Sequence, residues 1–423
     1  MSVNVTTDEI SKGVRLTEIT DKKFKTNSAV IRFITPLDSK TASANALAAQ
    51  LLILSHKKYK GLTAMNDFTN RLYGASVGTT VFKVGDNQVI AFTASAIKND
   101  YALEDESLFE DVLKVLLECI FDPDIENGFD ENYFRIKKDE LLSAIDSEIN
   151  EKRTLAVINA AKLAFEGEPF SIPAYGTKET AQMLTEQDVL SAYKNLLSSA
   201  SVEISLAGAG DFKKANALLR DCFTNRGVNL NLHPFSSPSP VKNTPAEGSD
   251  SYEMNQLKMV MIFKTDYKND SANGLFSALL GGTAFSKLFM NVREKLSLCY
   301  YCVCRPIYEK SAFMIDSGID RENLEKAHAE ILNQIEDVKN GDFTDEEVYN
   351  TKLAMRGSFK SVYDSPADLA AWYFTRYARG KDGQSPDEAE KELFDVTREQ
   401  IIEAAKSVKL DTVYTLMNIG GDE

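Results

Sequence analysis

A proline-rich break near the middle divides this chain, and a similar order of segments runs on either side of it. Residues 232–250 (LHPFSSPSPVKNTPAEGSD) hold Pro234, Pro238, Pro240 and Pro245, with serine and no periodic apolar face. That composition reads as a semi-extended linker. Upstream, the segment beginning Ser43-Ala44-Asn45 and ending Leu51-Leu52 matches the downstream segment from Ser271-Ala272-Asn273 to Leu279-Leu280. Gly128-Phe129-Asp130-Glu131 then matches Asp342-Phe343-Thr344-Asp345, and Leu184-Thr185-Glu186 matches Val396-Thr397-Arg398. The terminal Val413-Tyr414-Thr415-Leu416 echoes the run from Val202 to Leu206. Matches in one order, with slowly drifting offsets, are the mark of a duplicated domain. A length of 423 residues also exceeds what one hydrophobic core holds. The expected division is residues 1–231, a linker over 232–250, and a homologous domain over 251–423.

Within the first half, residues 13–37 alternate as strands, and two more strands, 79–83 and 89–94, meet about Gly85-Asp86-Asn87. Leu108, Val112, Val115, Leu116 and Cys119 repeat with a helical period that Asp122-Pro123 ends. Helix is expected over residues 131–165 and 186–197, a strand over 202–208, and a last helix ending near Arg226. The pattern is α+β in each half.

A composition of 43% hydrophobic and 26% charged residues is that of an ordinary globular protein. The formal charge of −15 argues against a nucleic-acid backbone as partner, since that needs clustered Lys and Arg. Residues 1–20 lack the apolar stretch of a secretory signal, and no run of about 18 apolar residues occurs, so no membrane span is expected. The five cysteines have no framework spacing and fit reduced thiols. Cytoplasmic localisation is the expectation.

The most informative stretch is residues 44–76, an apolar helix, a basic break and a second amphipathic helix closing on Leu72-Tyr73-Gly74-Ala75. With Ser55-His56-Lys57-Lys58-Tyr59-Lys60-Gly61, it resembles the zinc-site segment of the pitrilysin/insulinase metallopeptidases, the inverzincins. In that family the first helix carries H-x-x-E-H, whose histidines at i and i+4 share one helix face and grip one zinc ion. By this resemblance the first zinc histidine is replaced by Leu52, the glutamate base by Ser55, and only His56 remains. The third ligand's place on a later helix falls on Ala144, with Lys137 at a supporting carboxylate position. Another register would put Glu140 or Asp146 there. Leucine cannot donate an electron pair, and serine cannot take a proton from metal-bound water as glutamate does. His56, beside Lys57 and Lys58, reads as a surface or helix-end histidine, and His233 and His328 have no partners at ligand spacing.

The second half keeps more of the family's pattern. Gly281-Gly282-Thr283 and Val292-Arg293-Glu294-Lys295-Leu296-Ser297-Leu298-Cys299-Tyr300 look like its Gly-rich turn and R-E-K-x-G-L-x-Y signature, with Ser297 in place of the glycine. In active members the resemblance gives the Arg the task of steadying peptide carbonyl or carboxylate groups, and the Tyr that of donating to the developing oxyanion. Arg293 and Tyr300 have that spacing; without the resemblance they would be a solvated helix-end cation and a strand aromatic. Cys299, Cys302 and Cys304 read as small core residues, Cys299 facing away from the other two on a strand. Gly281-Gly282 has neither P-loop nor dinucleotide-site spacing.

The resemblance covers nearly the whole chain and implies two α+β domains, each an antiparallel sheet packed with helices, as in LuxS and the processing peptidases. Bacterial members built from such two-domain subunits form dimers enclosing a chamber, in which one subunit supplies the zinc motif and its partner the Arg/Tyr pair. The chain thus looks like the non-catalytic, peptide-binding half of a heterodimer. It is expected to hold no cofactor itself, zinc lying in an H-x-x-E-H-containing paralogue. Two alternatives are an active zinc metalloendopeptidase using His56 with other carboxylates, and a scaffold or binding protein without a peptidase partner. The sequence leaves open whether the isolated chain forms a homodimer.

Overall fold

The computed structural model describes residues 3–224 and 234–419. The chain forms two compact units. Unit 1 comprises residues 3–146, 172–224 and 363–383; unit 2 comprises 147–171, 234–362 and 384–419.

The strands, in chain order, are β1 (Asn4–Ser11), β2 (Val14–Thr20), β3 (Thr26–Pro36), β4 (Ser76–Val84), β5 (Asn87–Ile97) and β6 (Ser201–Gly208) in unit 1. Unit 2 has β7 (Ala246–Tyr252), β8 (Leu257–Lys264), β9 (Tyr301–Ile307), β10 (Ala312–Ile319) and β11 (Lys409–Asn418). The first sheet runs β1-β2-β6-β3-β5-β4 and the second β7-β11-β8-β10-β9. Leaving out β1, the two orders are the same. So are the senses: β2 with β6 and β7 with β11 are parallel, and every other pair is antiparallel. The matched segments also open equivalent helices. The Ser43 and Ser271 runs lie on helices Ala42–Leu52 and Asp270–Gly281. Thr185 and Thr397 each cap a helix, Glu186–Ser199 and Arg398–Ser407, through a capping box.

β8 shows why these sheets need cover on both sides. Its run LKMVMIFK has no polar alternation; Met259, Met261 and Phe263 pack in one apolar cluster, and Val260 and Ile262 in another. The first cluster includes Leu275, Phe276 and Leu279 of helix Asp270–Gly281 and Ile401 and Ala405 of helix Arg398–Ser407. The second is closed by Leu155, Ala156, Ala160 and Ala164 of helix Lys152–Ala164, which comes from the first half of the sequence. Reciprocally, in unit 1 the helix Pro366–Ala378 from the second half packs against β2, β3 and β6.

Three expectations change here. The compact units exchange residues 147–171 and 363–383, so they do not follow a single cut at the linker. The linker ends earlier than residue 250, because Ala246 already begins β7. The expected helix over 131–165 is two helices, Glu131–Asn150 and Lys152–Ala164. Glu151 divides them, leaving helical geometry and accepting the backbone N–H groups of Arg153 and Thr154 with its side chain. β1 carries no sequence signal, being a mostly exposed polar edge strand. The helix after β6 runs over Lys213–Phe223; its expected end near Arg226, and His233, lie outside the described residues. Among the described residues no helix is long and apolar enough to cross a membrane.

Unit 1 buries one ion pair between neighbouring strands. Arg32 on β3 stands opposite Glu203 on β6 and pairs with its carboxylate, both side chains being 5% exposed or less. Arg32 Nη1 also donates to Ser205 Oγ at 2.7 Å, and the guanidinium lies 4.5 Å from the ring centre of Phe374 on helix Pro366–Ala378. Removing one member of such a pair strands a buried charge. Glu203→Ala is expected to lower the unfolding free energy by about 3–5 kcal/mol in urea denaturation. A change below about 1 kcal/mol would mean that water reaches Arg32.

Candidate functional site

The basic break of the first half is organised by His56. Helix Ala42–Leu52 unwinds through turns in which the N–H groups of Leu54 and Ser55 donate to the carbonyls of Leu51 and Leu52. The next helix, Gly61–Arg71, starts where the Tyr133 hydroxyl presses on the backbone: a Cβ on Gly61, at φ +75°, would lie 2.1 Å from that oxygen. Between them His56 is 4% exposed, so it is a helix-end histidine but not a surface one. Its Nδ1 accepts the backbone N–H groups of Lys58 and Tyr59, each at 3.0 Å. The ring proton is therefore on Nε2, which donates to Glu118 Oε2 at 2.8 Å. The ring stacks on Tyr59 at 5.0 Å between centroids, and Tyr59 stacks on Phe68 at 4.4 Å. Glu118, on helix Leu108–Phe121, gave no sign in the sequence, where it is one polar residue on an amphipathic helix.

These residues do not fit a zinc ion. Leu52 is apolar and buried, and Ser55 Oγ donates to the Leu51 carbonyl at 2.8 Å. Both nitrogens of His56 are in use, and Ala144, exposed on helix Glu131–Asn150, has no donor atom. The alternative carboxylates are engaged by cations: Glu140 with Lys137 at 2.7 Å, and Asp146 with Lys178 at 2.7 Å. A cavity of about 360 Å³, lined in part by Ser55, His56, Lys60, Asp130 and Tyr133, persists beside the helix end without a ligand set. Among the described residues no group of three or more His, Cys, Asp or Glu could hold a metal ion.

The signature of the second half is built differently. Gly281, ending helix Asp270–Gly281, comes so close to β9 that a Cβ there would lie 2.6 Å from the Cys304 backbone nitrogen. The Gly-rich turn is thus a packing device between helix and strand. After it, residues Leu288–Lys295 form a π-helical segment, a wide turn that is rare outside special sites. It closes with the N–H of Leu296 donating to the carbonyl of Asn291, Ser297 to Arg293, and Leu298 to Val292. Ser297 sits at φ +52°, the left-handed region that favours glycine, so the turn keeps its shape with serine in it.

That turn sets Arg293 and Tyr300. The Arg293 guanidinium lies 4.6 Å from the Phe289 ring centre, with Nη1 3.2 Å from Glu294 Oε1, and is half-exposed. Tyr300 is 53% exposed; its N–H donates to the Gly318 carbonyl at 2.8 Å, and its hydroxyl to Asp320 Oδ2 at 3.1 Å. The Asp320 carboxylate pushes the phenol above the usual tyrosine range, keeping it a donor. Cys299 does not face away from its neighbours: it shares the apolar cluster of Cys302 and Cys304. β9 begins only at Tyr301, and the chain bends at Tyr300, so strand alternation does not reach Cys299.

Two substitutions test these geometries. His56→Ala leaves the Lys58 and Tyr59 N–H groups without their acceptor and is expected to cost about 2–3 kcal/mol in chemical denaturation; an unchanged midpoint would show that the loop stands without it. Ser297→Gly relieves the left-handed serine and is expected to raise stability by about 0.5–1 kcal/mol. A lowered midpoint for that variant would refute the positive φ.

A family model described as the peptidase M16 inactive domain matches residues 183–355. Over 405 residues the chain is 26% identical to a "Probable inactive metalloprotease YmfF" of Bacillus subtilis (strain 168), covering 95% of each chain. A conserved protein from Enterococcus faecalis V583 superposes with a TM-score of 0.91 at 24% identity, over 99% of this chain and 100% of that one. A peptidase M16 inactive domain from Pseudomonas fluorescens gives a TM-score of 0.80 at 18% identity, with coverage of 99% and 100%. The two superpositions show a shared fold. The chain is accordingly similar to inactive homologues among the M16 metallopeptidases, the pitrilysin/insulinase group.

Proposed function

We propose that this protein is the non-catalytic, peptide-binding subunit of a heterodimeric zinc peptidase. Its partner is a paralogue that carries H-x-x-E-H and the zinc, and this chain completes the partner's substrate chamber with Arg293 and Tyr300. One contrast supports the reading. The positions that would hold zinc are filled by buried, engaged or donorless side chains, whereas the pair is set by a wide helical turn with Arg293 half-exposed and Tyr300 exposed. A guanidinium resting on Phe289 and a phenol kept protonated by Asp320 are groups that bind carbonyl and carboxylate oxygens. In unit 1, β4 is an end strand paired in the sheet only with β5, which is a place for an extended peptide to add.

The test combines the chain with an H-x-x-E-H paralogue encoded in the same genome and follows peptide turnover, assembly and zinc content. Zinc is expected with the paralogue alone. The double variant Arg293→Ala, Tyr300→Phe is expected to assemble normally while turnover falls about a hundredfold or more. Full turnover by that variant overturns the reading. Chelator-sensitive hydrolysis by the lone chain would favour a peptidase built on His56, and a stable homodimer that gives no paralogue activity would favour a scaffold.

A further inference from the structure

Unit 2 gathers cations on one face of its sheet, beside Tyr300. Tyr301 of β9, Gly318 of β10 and Lys258 of β8 stand in one row across three strands, and the Tyr300 N–H donates to the Gly318 carbonyl at 2.8 Å. Only a glycine leaves this row open: a Cβ on Gly318 would lie 2.6 Å from Tyr301 Cε1 and 3.2 Å from Lys258 Nζ. Over it the Tyr301 ring meets two cations, the Arg153 guanidinium 4.3 Å from its centre and the Lys258 ammonium 5.4 Å away. Asp316, two residues back on β10 and so on the same face, is 1% exposed and pairs with Arg153. Its other oxygen lies 3.5 Å from Nη2 of Arg305, whose side chain is half-exposed.

These groups do not balance. Three cations share one buried carboxylate, and the Glu151 side chain is committed to the backbone N–H groups of Arg153 and Thr154. Among the described residues Lys258 Nζ hydrogen-bonds to a neutral group, Gln256 Oε1 at 3.3 Å, and burial holds its ammonium below the usual lysine range. The Tyr301 hydroxyl is enclosed with no hydrogen-bond partner among the described residues. A cation short of counter-charge and a phenol short of an acceptor are answered by one kind of group, a carboxylate. The whole chain, at −15, repels acidic ligands, so attraction at this face is local.

We propose that Lys258 and Arg305, with the Tyr301 hydroxyl, form a carboxylate subsite beside the Arg293/Tyr300 pair, which selects peptides carrying an acidic side chain or a free C-terminus. Lys258 supplies the uncommitted charge. Arg305 turns to the ligand from a long, solvent-facing contact with Asp316, while Arg153 stays and keeps that buried acid paired. Tyr300 and Tyr301 are consecutive, so the selected carboxylate lies about one or two residues from the carbonyl that Tyr300 meets. That a peptide bound in this way is cleaved rests on the subunit role proposed above; capture of the carboxylate does not.

The experiment measures, by fluorescence anisotropy, how the full-length chain binds three peptides that share one otherwise uncharged sequence and an uncharged dye. The first has an internal glutamate and an amidated C-terminus, the second glutamine and a free C-terminus, the third glutamine and an amide. The first or the second is expected to bind about tenfold tighter than the third, the value of one charge-assisted hydrogen bond. Which of the two it is names the source of the carboxylate. The double variant Lys258→Met, Arg305→Met is expected to lose the preference, and Lys258→Gln alone to narrow it. Equal binding of the three, binding of none, or a preference that survives in the double variant overturns the proposal. With the paralogue present, the same preference is expected in kcat/KM. Turnover that needs Arg293 and Tyr300 but ignores the carboxylate overturns the subsite and leaves the subunit role standing. A preference in binding with no turnover by any pair overturns the role and leaves the subsite.

Discussion

A sheet that is apolar on both faces must be covered twice, and in this molecule the second cover comes from elsewhere in the sequence. Helix Lys152–Ala164 closes the face carrying Val260 and Ile262, and helix Pro366–Ala378 packs on β2, β3 and β6. Each helix follows the long helix of its own repeat, Glu131–Asn150 or Asp345–Ser361, so the exchange occurs at the same step of both repeats. The Arg32–Glu203 pair lies on the exchanged surface: Phe374, from the second half, backs a guanidinium of the first. A buried charge pair is tolerable there because a hydroxyl and an aromatic face complete its surroundings.

This exchange explains what the sequence could and could not reveal. Duplication was legible because its marks are local: the paired serine-alanine-asparagine runs, and the capping threonines Thr185 and Thr397, which act within their own helices. The identical strand orders follow from that duplication. The exchange itself was not legible, since helix Lys152–Ala164 has the same amphipathic signal whichever sheet it covers. Strands β1 and β7 were missed for another reason. Both are end strands of their sheets, mostly exposed, and an edge strand held by backbone pairing needs no apolar alternation.

At the site, the motif frame was readable and its chemistry only in part. The sequence located Leu52, Ser55, His56 and Ala144, but spacing cannot show where an imidazole's nitrogens go. His56 is held by two backbone N–H groups within its own loop and by Glu118 from a helix distant in sequence. What resembles the remnant of a metal site is a loop anchor, and the apolar Leu52 at the first ligand's position is buried. The cysteines were misjudged by extending strand alternation one residue past the bend at Tyr300.

The second half illustrates how geometry can outlast the residue that most easily makes it. Glycine is the natural occupant of a left-handed turn position, and a serine there carries strain of order 1 kcal/mol. The strain is tolerated because Leu296, Ser297 and Leu298 each donate a backbone hydrogen bond into the preceding π-helical segment, fixing the turn whatever its side chain. Arg293 and Tyr300 flank that turn, so its shape sets the separation of guanidinium and phenol. Both are occupied by weak, solvent-facing interactions: the guanidinium by the Phe289 ring and the Glu294 carboxylate, the phenol by a hydrogen bond to Asp320. Exposed contacts of this kind are worth little in water. In the proposed subunit role, a peptide carbonyl takes the phenol from Asp320 and a carboxylate takes the guanidinium from Phe289 and Glu294 at small expense. The ligand positions of the first half have no such freedom, because Leu52 and Ala144 have no ligand atom and Ser55 and His56 are already hydrogen-bonded.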